Sequence, residues 1–508
     1  MRSFASSVLA LAALCLFMRP AIAAPEGTLT IGLHVSAAPT WFDPAEAPGY
    51  ITPYMFYYLM HDAMGKAMPG ADPAPALAES WTSAPDGMSH DFVLRAGTKF
   101  HDNTPVTVED VRFSFQRYRG VAHTTLHDRV AAVEIVNDRT VRFHMKAPWP
   151  DFMTYYLGVT SAGWVVPKAY VEKTGEDGFK KAPIGAGPYK YVTFKPGIEL
   201  VVEASETYWR KVPAIKRIVY KVIPDEAVRL VALKRGEVDI AFSIRGELAR
   251  AIEQTPGLSL QPTQGAATFW IYFANQFDPK SPWHDQRVRE AARYAIDYDT
   301  INKTLLLGHG NMHGSLIPDM FDYYSPVPAP KYDPAKARAL LAEAGYPNGL
   351  DAGNYHCDSS YSNLAEIVVN NLAEAGIRTK LQPVERVAFA KAYAEKKLKD
   401  IIQGGSAAIG NTATRFEVFA VKDGAYTYGS YPDIDEMFHR QAMELDRAKR
   451  GAILIDMQRR LHERAMYAPL WQLALLNGVG PRVGVSGLNL IKGFLYTAPY
   501  EDITLKAK

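Results

Sequence analysis

Residues 404–416, GGSAAIGNTATRF, combine small residues, hydroxyls and one cation, Arg415. Glycine-rich runs of this kind serve two chemistries. They cradle phosphate when Gly-Lys-Ser/Thr completes them, or they present a nucleophile on a Gly-x-Ser-x-Gly elbow. Neither is complete here. The Gly65-Lys66 pair is followed by Ala67, and Ala408 breaks the elbow around Ser406. GAGPYK (185–190) has Lys190 where a dinucleotide fingerprint needs its third glycine. LHERAM (461–466) offers His462-Glu463, but Met466 stands where a zinc protease needs its second histidine. No enzyme motif survives these tests.

Two further clusters concentrate metal-type ligands. FHDNTPVTVEDV (100–111) brings together His101, Asp102, Glu109 and Asp110. A turn at Asp102-Asn103, then a helix capped by Thr107 with acids in its first turn, accounts for every one of these residues without a metal. HCD (356–358) sets histidine, thiol and carboxylate side by side, which reads as a surface loop or, less simply, a metal site.

The elements that must position these groups alternate along the chain. TLTIGLHV (28–35), TVRFHM (140–145) and IKRIVYKVI (215–223) alternate as strands, and ATFWIYFAN (267–275) reads as a buried one. EAVRLVALKRGEV (226–238), DQRVREAARYAI (285–296), DPAKARALLAEAG (333–345) and NLAEIVVNNLAEAG (363–376) carry helical periodicity, with Gly236 and Gly345 as stops. The mixture predicts an α/β fold with helices packed on sheets.

Arg2, the apolar run Val8–Met18 and the small-residue pattern Ala21-Ile22-Ala23 read as an export signal, residues 1–24, cleaved after Ala23 or Ala24. Leu14 before Cys15 argues against a lipid anchor. Without the signal, Cys357 is the one thiol left, expected to be buried and inert. Removing Arg2 and Arg19 from 56 basic residues leaves 54, against 54 acidic ones. A neutral balance argues against nucleic acid or an anionic membrane surface as partner. A chain of about 480 residues needs more than one core.

LAESW (77–81) followed by FVLRAGTKFHDNTPVTVEDVRFS (92–114) resembles the signature region of the family 5 extracellular solute-binding proteins, the oligopeptide/dipeptide-type components of ABC importers. GAGPYKYVTFKPG (185–197), RLVALKRGEVDI (229–240), DQRVREAARYAID (285–297), YDPAKARALLAEAGYPNG (332–349) and APLWQ (468–472) continue the resemblance in order. It implies a large two-lobed periplasmic binding protein with a cleft between its lobes. Lobe I would be 25–264, with an extra subdomain at about 49–184, plus the returning 480–508. Lobe II would be 265–479. Two hinge strands would cross near 264–268 and 479–483.

The resemblance also implies a function and its partners. A solute is captured by hinge closure, without catalysis, metal or cofactor, and passed to the membrane permease subunits of an ABC importer with ATPases on the cytoplasmic side. A periplasmic monomer is expected. The family's ligand segments map onto Thr40 and Trp41, onto Trp270, Tyr272 and Asn275, and onto Ser406, Asn411 and Arg415, with Trp471 as a further candidate for the cleft. Core packing explains each aromatic equally well. Peptide-binding members carry an acid in the third segment that pairs with the peptide's free amine. Ala408 falls at its place, and no Asp or Glu occurs between Asp400 and Glu417. Burying an ammonium without a counter-charge costs several kcal/mol, so an ordinary peptide held by its N-terminal amine is disfavoured. Arg415 offers a planar fork for carboxylate or phosphate, or a structural ion pair. The alternatives are a peptide binder with its acid elsewhere (Glu417 or Asp433), a metal-complex or haem binder using His34, His356 or Arg415, and, from another class, an exported hydrolase.

Overall fold

The computed structural model describes residues 24–46, 52–120, 122–312, 314–329, 331–407 and 410–506. The expected export signal lies outside these, except for Ala24, and so does Ala408. No helix among the described residues is long and apolar enough to cross a membrane.

One ten-stranded sheet organises the chain. Its strands are β1 (Glu26–Leu33), β2 (Tyr189–Lys195), β3 (Glu199–Ala204), β4 (Ile215–Val222), β5 (Ile240–Ala241), β6 (Ser259–Phe273), β7 (Leu350–Asp358), β8 (Ile377–Val384), β9 (Ile401–Ala407) and β10 (Tyr467–Val479). Their spatial order is β2-β3-β4-β1-β5-β10-β6-β9-β7-β8. Within the first half, β1 runs parallel to β4 and β5. In the second, β7 runs parallel to β8 and β9. The long antiparallel pair β6 and β10 belongs to both halves.

Direction matters here. β10 is antiparallel to β5 and to β6, so β6 leaves the first half in the sense of β5. β9 then runs back against β6, with Ile401 opposite Phe273 and Ala407 opposite Ala267. The carboxyl ends of both parallel sets therefore point at residues 264–268, from opposite sides. That stretch is also where the β6–β10 ladder slips. Gln264 faces Ala474 and Thr268 faces Gln472, four residues on one strand against two on the other. Val479 instead faces Ser259, at the far end of the pairing.

A four-stranded antiparallel sheet formed by Ala78–Ser83, Ser89–Leu94, Val130–Ile135 and Thr140–Met145 lies in the insertion between β1 and β2. It carries its own core of Leu77, Phe92, Phe115, Phe143 and Tyr156. Helix α1 (Val108–Gln116) packs there, started by a reciprocal cap between Thr107 and Asp110. Asp102 Oδ1 accepts from the Thr104 N–H and hydroxyl. The turn and cap read from the sequence are thus what these residues form.

Four more helices bear on the site. They are α2 (Glu226–Lys234), α3 (Arg386–Ala394), α4 (Thr412–Phe419) and α5 (Arg447–Glu463). Two expectations need correcting. HCD is no loop: it ends β7, with Cys357 fully buried in the core. The glycine-rich segment contributes the end of β9, up to Ala407, and, beyond residues 408–409, the N-terminus of α4.

Candidate ligand site between the sheet halves

In open α/β sheets, ligands bind outside the carboxyl ends of the strands, where strand order reverses. Here two such ends face each other. From the first half come His34, just past β1, Glu226 at the start of α2, and Arg245, just past β5. From the second come Asp358 at the end of β7, Ser360 and Tyr361 after it, and Arg386 opening α3.

These groups meet. Arg245 Nη2 donates to the Ser360 carbonyl at 2.9 Å, and its Nε donates to Glu226 Oε1 at 2.8 Å. Arg386 Nε lies 2.8 Å from Asp358 Oδ2. Both guanidinium groups sit 5.5 Å from the centre of the Tyr361 ring. Phe269 of β6 packs edge-on against that ring. His34 Nε2 lies 3.0 Å from the Tyr496 hydroxyl, and the two rings stack.

Charge is answered in two ways at this junction. Arg229 of α2 is fully buried and donates to the carbonyls of Phe242, Ile223, Pro224 and Ser243. Glu226 pairs with Arg245 and Asp358 with Arg386, while Glu226 and the more exposed Asp225 act on Arg229. Burial works hardest against the Arg386 charge, but Asp358 together with Tyr361 and Tyr496 outweighs it and raises its pKa. His34 is pushed well below the usual histidine range, first by burial and then by Arg386, Arg229 and Arg245. It is neutral at pH 7.

The residues singled out from sequence are distributed as follows. Ser406 ends the described side chains of β9 and is partly exposed. Its carbonyl accepts from Arg415 Nη2 at 3.4 Å, while Arg415 Nη1 donates to Thr268 Oγ1 at 2.9 Å. Arg415 also lies 5.6 Å from the Trp270 ring, and burial pulls its pKa down to about 9. Trp471 is buried opposite Phe269 in the ladder. These four gather beside the crossing. Tyr272 is buried further along β6, its hydroxyl accepting from the Tyr428 N–H. Asn275 accepts from the Asp400 N–H at 2.7 Å. Asn411 caps α4. Thr40 is exposed in the turn after β1, and Trp41 is buried against Phe56.

Gly405 shows why no side chain fits at its position. A Cβ there would lie 2.8 Å from the Phe269 ring, so the space left by glycine is taken by the chain's own aromatic. The two rival acids are engaged elsewhere. Glu417 accepts from Arg129 and from the Tyr155 hydroxyl, and burial raises its pKa. Asp433 pairs with Arg464 and Arg460, which hold it down to about 2.

Sequence reading alone missed Arg245, Tyr361, Arg386 and Tyr496. A signal was available for three of them: each falls just past a segment that ends as a parallel strand.

Two α/β halves, joined by two strands of one sheet and facing each other across their strand ends, define the two-lobed periplasmic binding protein fold. The chain belongs to the bacterial extracellular solute-binding proteins, family 5, whose model matches residues 72–426. Among its relatives are the Heme-binding protein A of Haemophilus influenzae, 29% identical over 368 residues (66% of each chain), and the Dipeptide-binding protein of Escherichia coli K12, 26% identical over 429 residues (77% of this chain and 79% of that one). The chain thus spans just under two thirds of the first relative's length. The solved structure of AgaA from A. tumefaciens R10 in complex with agropinic acid superposes with a TM-score of 0.81 at 25% identity, covering 95% of this chain and 99% of that one.

Proposed function

We propose that this protein is the exported solute-capturing component of an ABC importer. It closes about β6 and β10 on an organic solute of about peptide size and presents the closed form to membrane permease subunits, whose ATPases act from the cytoplasmic side. It works as a periplasmic monomer after removal of residues 1–24 and carries out no catalysis. Lobe I comprises 25–264 and lobe II begins at 265; residues 474–479 pair with 259–264, which supports a return to lobe I before 480. The pairing of Gln264 with Ala474 supports a second crossing at 472–474.

One observation carries this reading. Polar groups from the strand ends of both halves meet across the gap, Arg245 to Ser360, where a solute would be enclosed. A small differential affinity for the closed form suffices to shift such a hinge. The solute is not an ordinary peptide gripped by its free amine, because Glu417 and Asp433 already have cationic partners. Ser406, Arg415 and Trp471 supply the wall nearest the crossing.

Native mass spectrometry of the mature chain, followed by thermal-shift screening against peptides, N-substituted amino acids, oligosaccharides and metal chelates, tests both parts. A retained solute, or a shift with compounds lacking a free α-amine, is the expected result. Stabilisation by unmodified di- or tripeptides alone would remove the exclusion of peptides. Binding of nothing from any class would remove the capture reading.

A further inference from the structure

We propose that Arg245 and Arg386 form a two-sided clamp for a carboxylate of the captured solute, one arginine from each half of the molecule. The inference rests on the capture reading and names the chemical class of its ligand, an organic acid.

Both guanidinium groups flank one ring, that of Tyr361, at 5.5 Å, although they come from opposite halves. Each is only partly satisfied by its own acid. Arg245 spends Nε and Nη2 on Glu226 and Ser360, and its Nη1 is buried without a partner. Arg386 contacts Asp358 through Nε, and its Nη2 is buried without a partner. His34 Nδ1 is a third buried nitrogen with none. A buried donor left unsatisfied costs about 1–3 kcal/mol, more when charged. Two such guanidinium nitrogens, one from each half and flanking one ring, are a donor set built for an acceptor.

A carboxylate fits that set. It brings two acceptor oxygens in one plane, matching guanidinium N–H groups, and one negative charge between two arginines. A neutral amide would bring one acceptor oxygen in place of two, and an N–H₂ that the unpartnered guanidinium nitrogens cannot use. A phosphate dianion would add a second negative charge beside Glu226 and Asp358. The clamp also explains closure: arginines from the two halves repel as they approach, and a bridging anion turns that repulsion into attraction.

Two measurements on the mature full-length chain test this. In the first, the Tm is followed in rising sodium acetate, with sodium chloride and sodium phosphate at matched ionic strength. Acetate is expected to raise the Tm of the wild type above the chloride control. It should not do so in Arg245→Gln or Arg386→Gln, and Arg386→Lys should respond in between. Equal responses in wild type and both Gln variants, no response to acetate, or a response to phosphate alone would overturn the clamp. In the second, the solute found by mass spectrometry, or an N-acyl amino acid that binds, is compared with its primary amide. The amide should bind at least about tenfold more weakly, the loss of a charge-assisted hydrogen bond. A solute bound equally by wild type and both Gln variants would sink the clamp yet leave the capture reading standing. Acetate stabilisation with no solute bound from any class would do the reverse.

Discussion

Asn411 Nδ2 donates to Asp151 Oδ1 at 2.8 Å, joining the cap of α4 to the inserted subdomain 260 residues earlier in the chain. Asp151 also receives Arg450 of α5, and both side chains of that ion pair are 5% exposed. One buried carboxylate thus ties two helices of the second half to the insertion. Replacing it by alanine strands the Arg450 charge. Asp151→Ala is therefore expected to lose about 3–5 kcal/mol, and Asn411→Ala about 1 kcal/mol for its cap. Urea denaturation of the mature chain measures both. An Asp151→Ala midpoint equal to that of the wild type would show the tie to be dispensable.

Acid sensitivity should come partly from two histidines, the buried His61 and the half-buried His101. His101 Nε2 donates to the Gly187 carbonyl at 3.0 Å while its Nδ1 accepts from the Gly185 N–H at 3.3 Å. Only the neutral ring can do both, and burial lowers its pKa to about 3. His61 is lowered to about 4 by burial. The unfolded chain binds these protons first. Stability is therefore fully present above about pH 6.5 and falls as pH drops towards about 4 and then about 3. Thermal unfolding should show this slope, and His101→Gln should flatten it. A variant whose Tm falls in parallel with that of the wild type would refute the assignment.

Gly185 lies where two backbones nearly touch. A Cβ there would sit 1.9 Å from the Met60 carbonyl oxygen and 2.5 Å from His61 Nδ1. Gly185→Ala is expected to cost about 1–3 kcal/mol, the range for forced overpacking. Calorimetry reads this directly, and an unchanged Tm would show that the chain relaxes freely around Met60.

Cys357 should be silent. Its side chain is fully buried, and burial pushes the thiol pKa up to about 12. A thiol-specific disulfide reagent should react with it only after denaturant is added. Prompt reaction in the native state would contradict the full burial of Cys357 in β7.

Local chemistry made much of this legible. Thr107, Asp285 and Asp333 announce helix starts, and each caps one. Gly345, read as a stop, takes a positive φ just past its helix. Alternation located β1 and β4 to within two residues at either end. What stayed hidden depends on sheet order. Arg245 and Arg386 are 141 positions apart, and only the path of β6 and β10 brings them to one ring. HCD looked like a loop because polar and titratable residues suggest exposure, yet the strand's alternation buries Cys357 between two more accessible neighbours. Trp41 was marked by its place beside a loop, and its burial against Phe56 reflects packing that spacing does not reveal.

The slipped ladder between β6 and β10 has a mechanical meaning. Away from it, neighbouring strands hold each other through backbone pairing broken only by smaller irregularities, so each half of the sheet is the stiffer part. Between Gln264 and Thr268 that pairing lapses, and a side-chain bond, Gln472 Nε2 to the Gly265 carbonyl at 2.9 Å, spans the seam instead. Compliance is concentrated in a strip a few residues wide. The two halves can tilt against each other there while the ladder hydrogen bonds on either side survive, so opening would break cross-gap contacts such as Arg245 to Ser360 and Arg450 to Asp151 and leave the sheet paired.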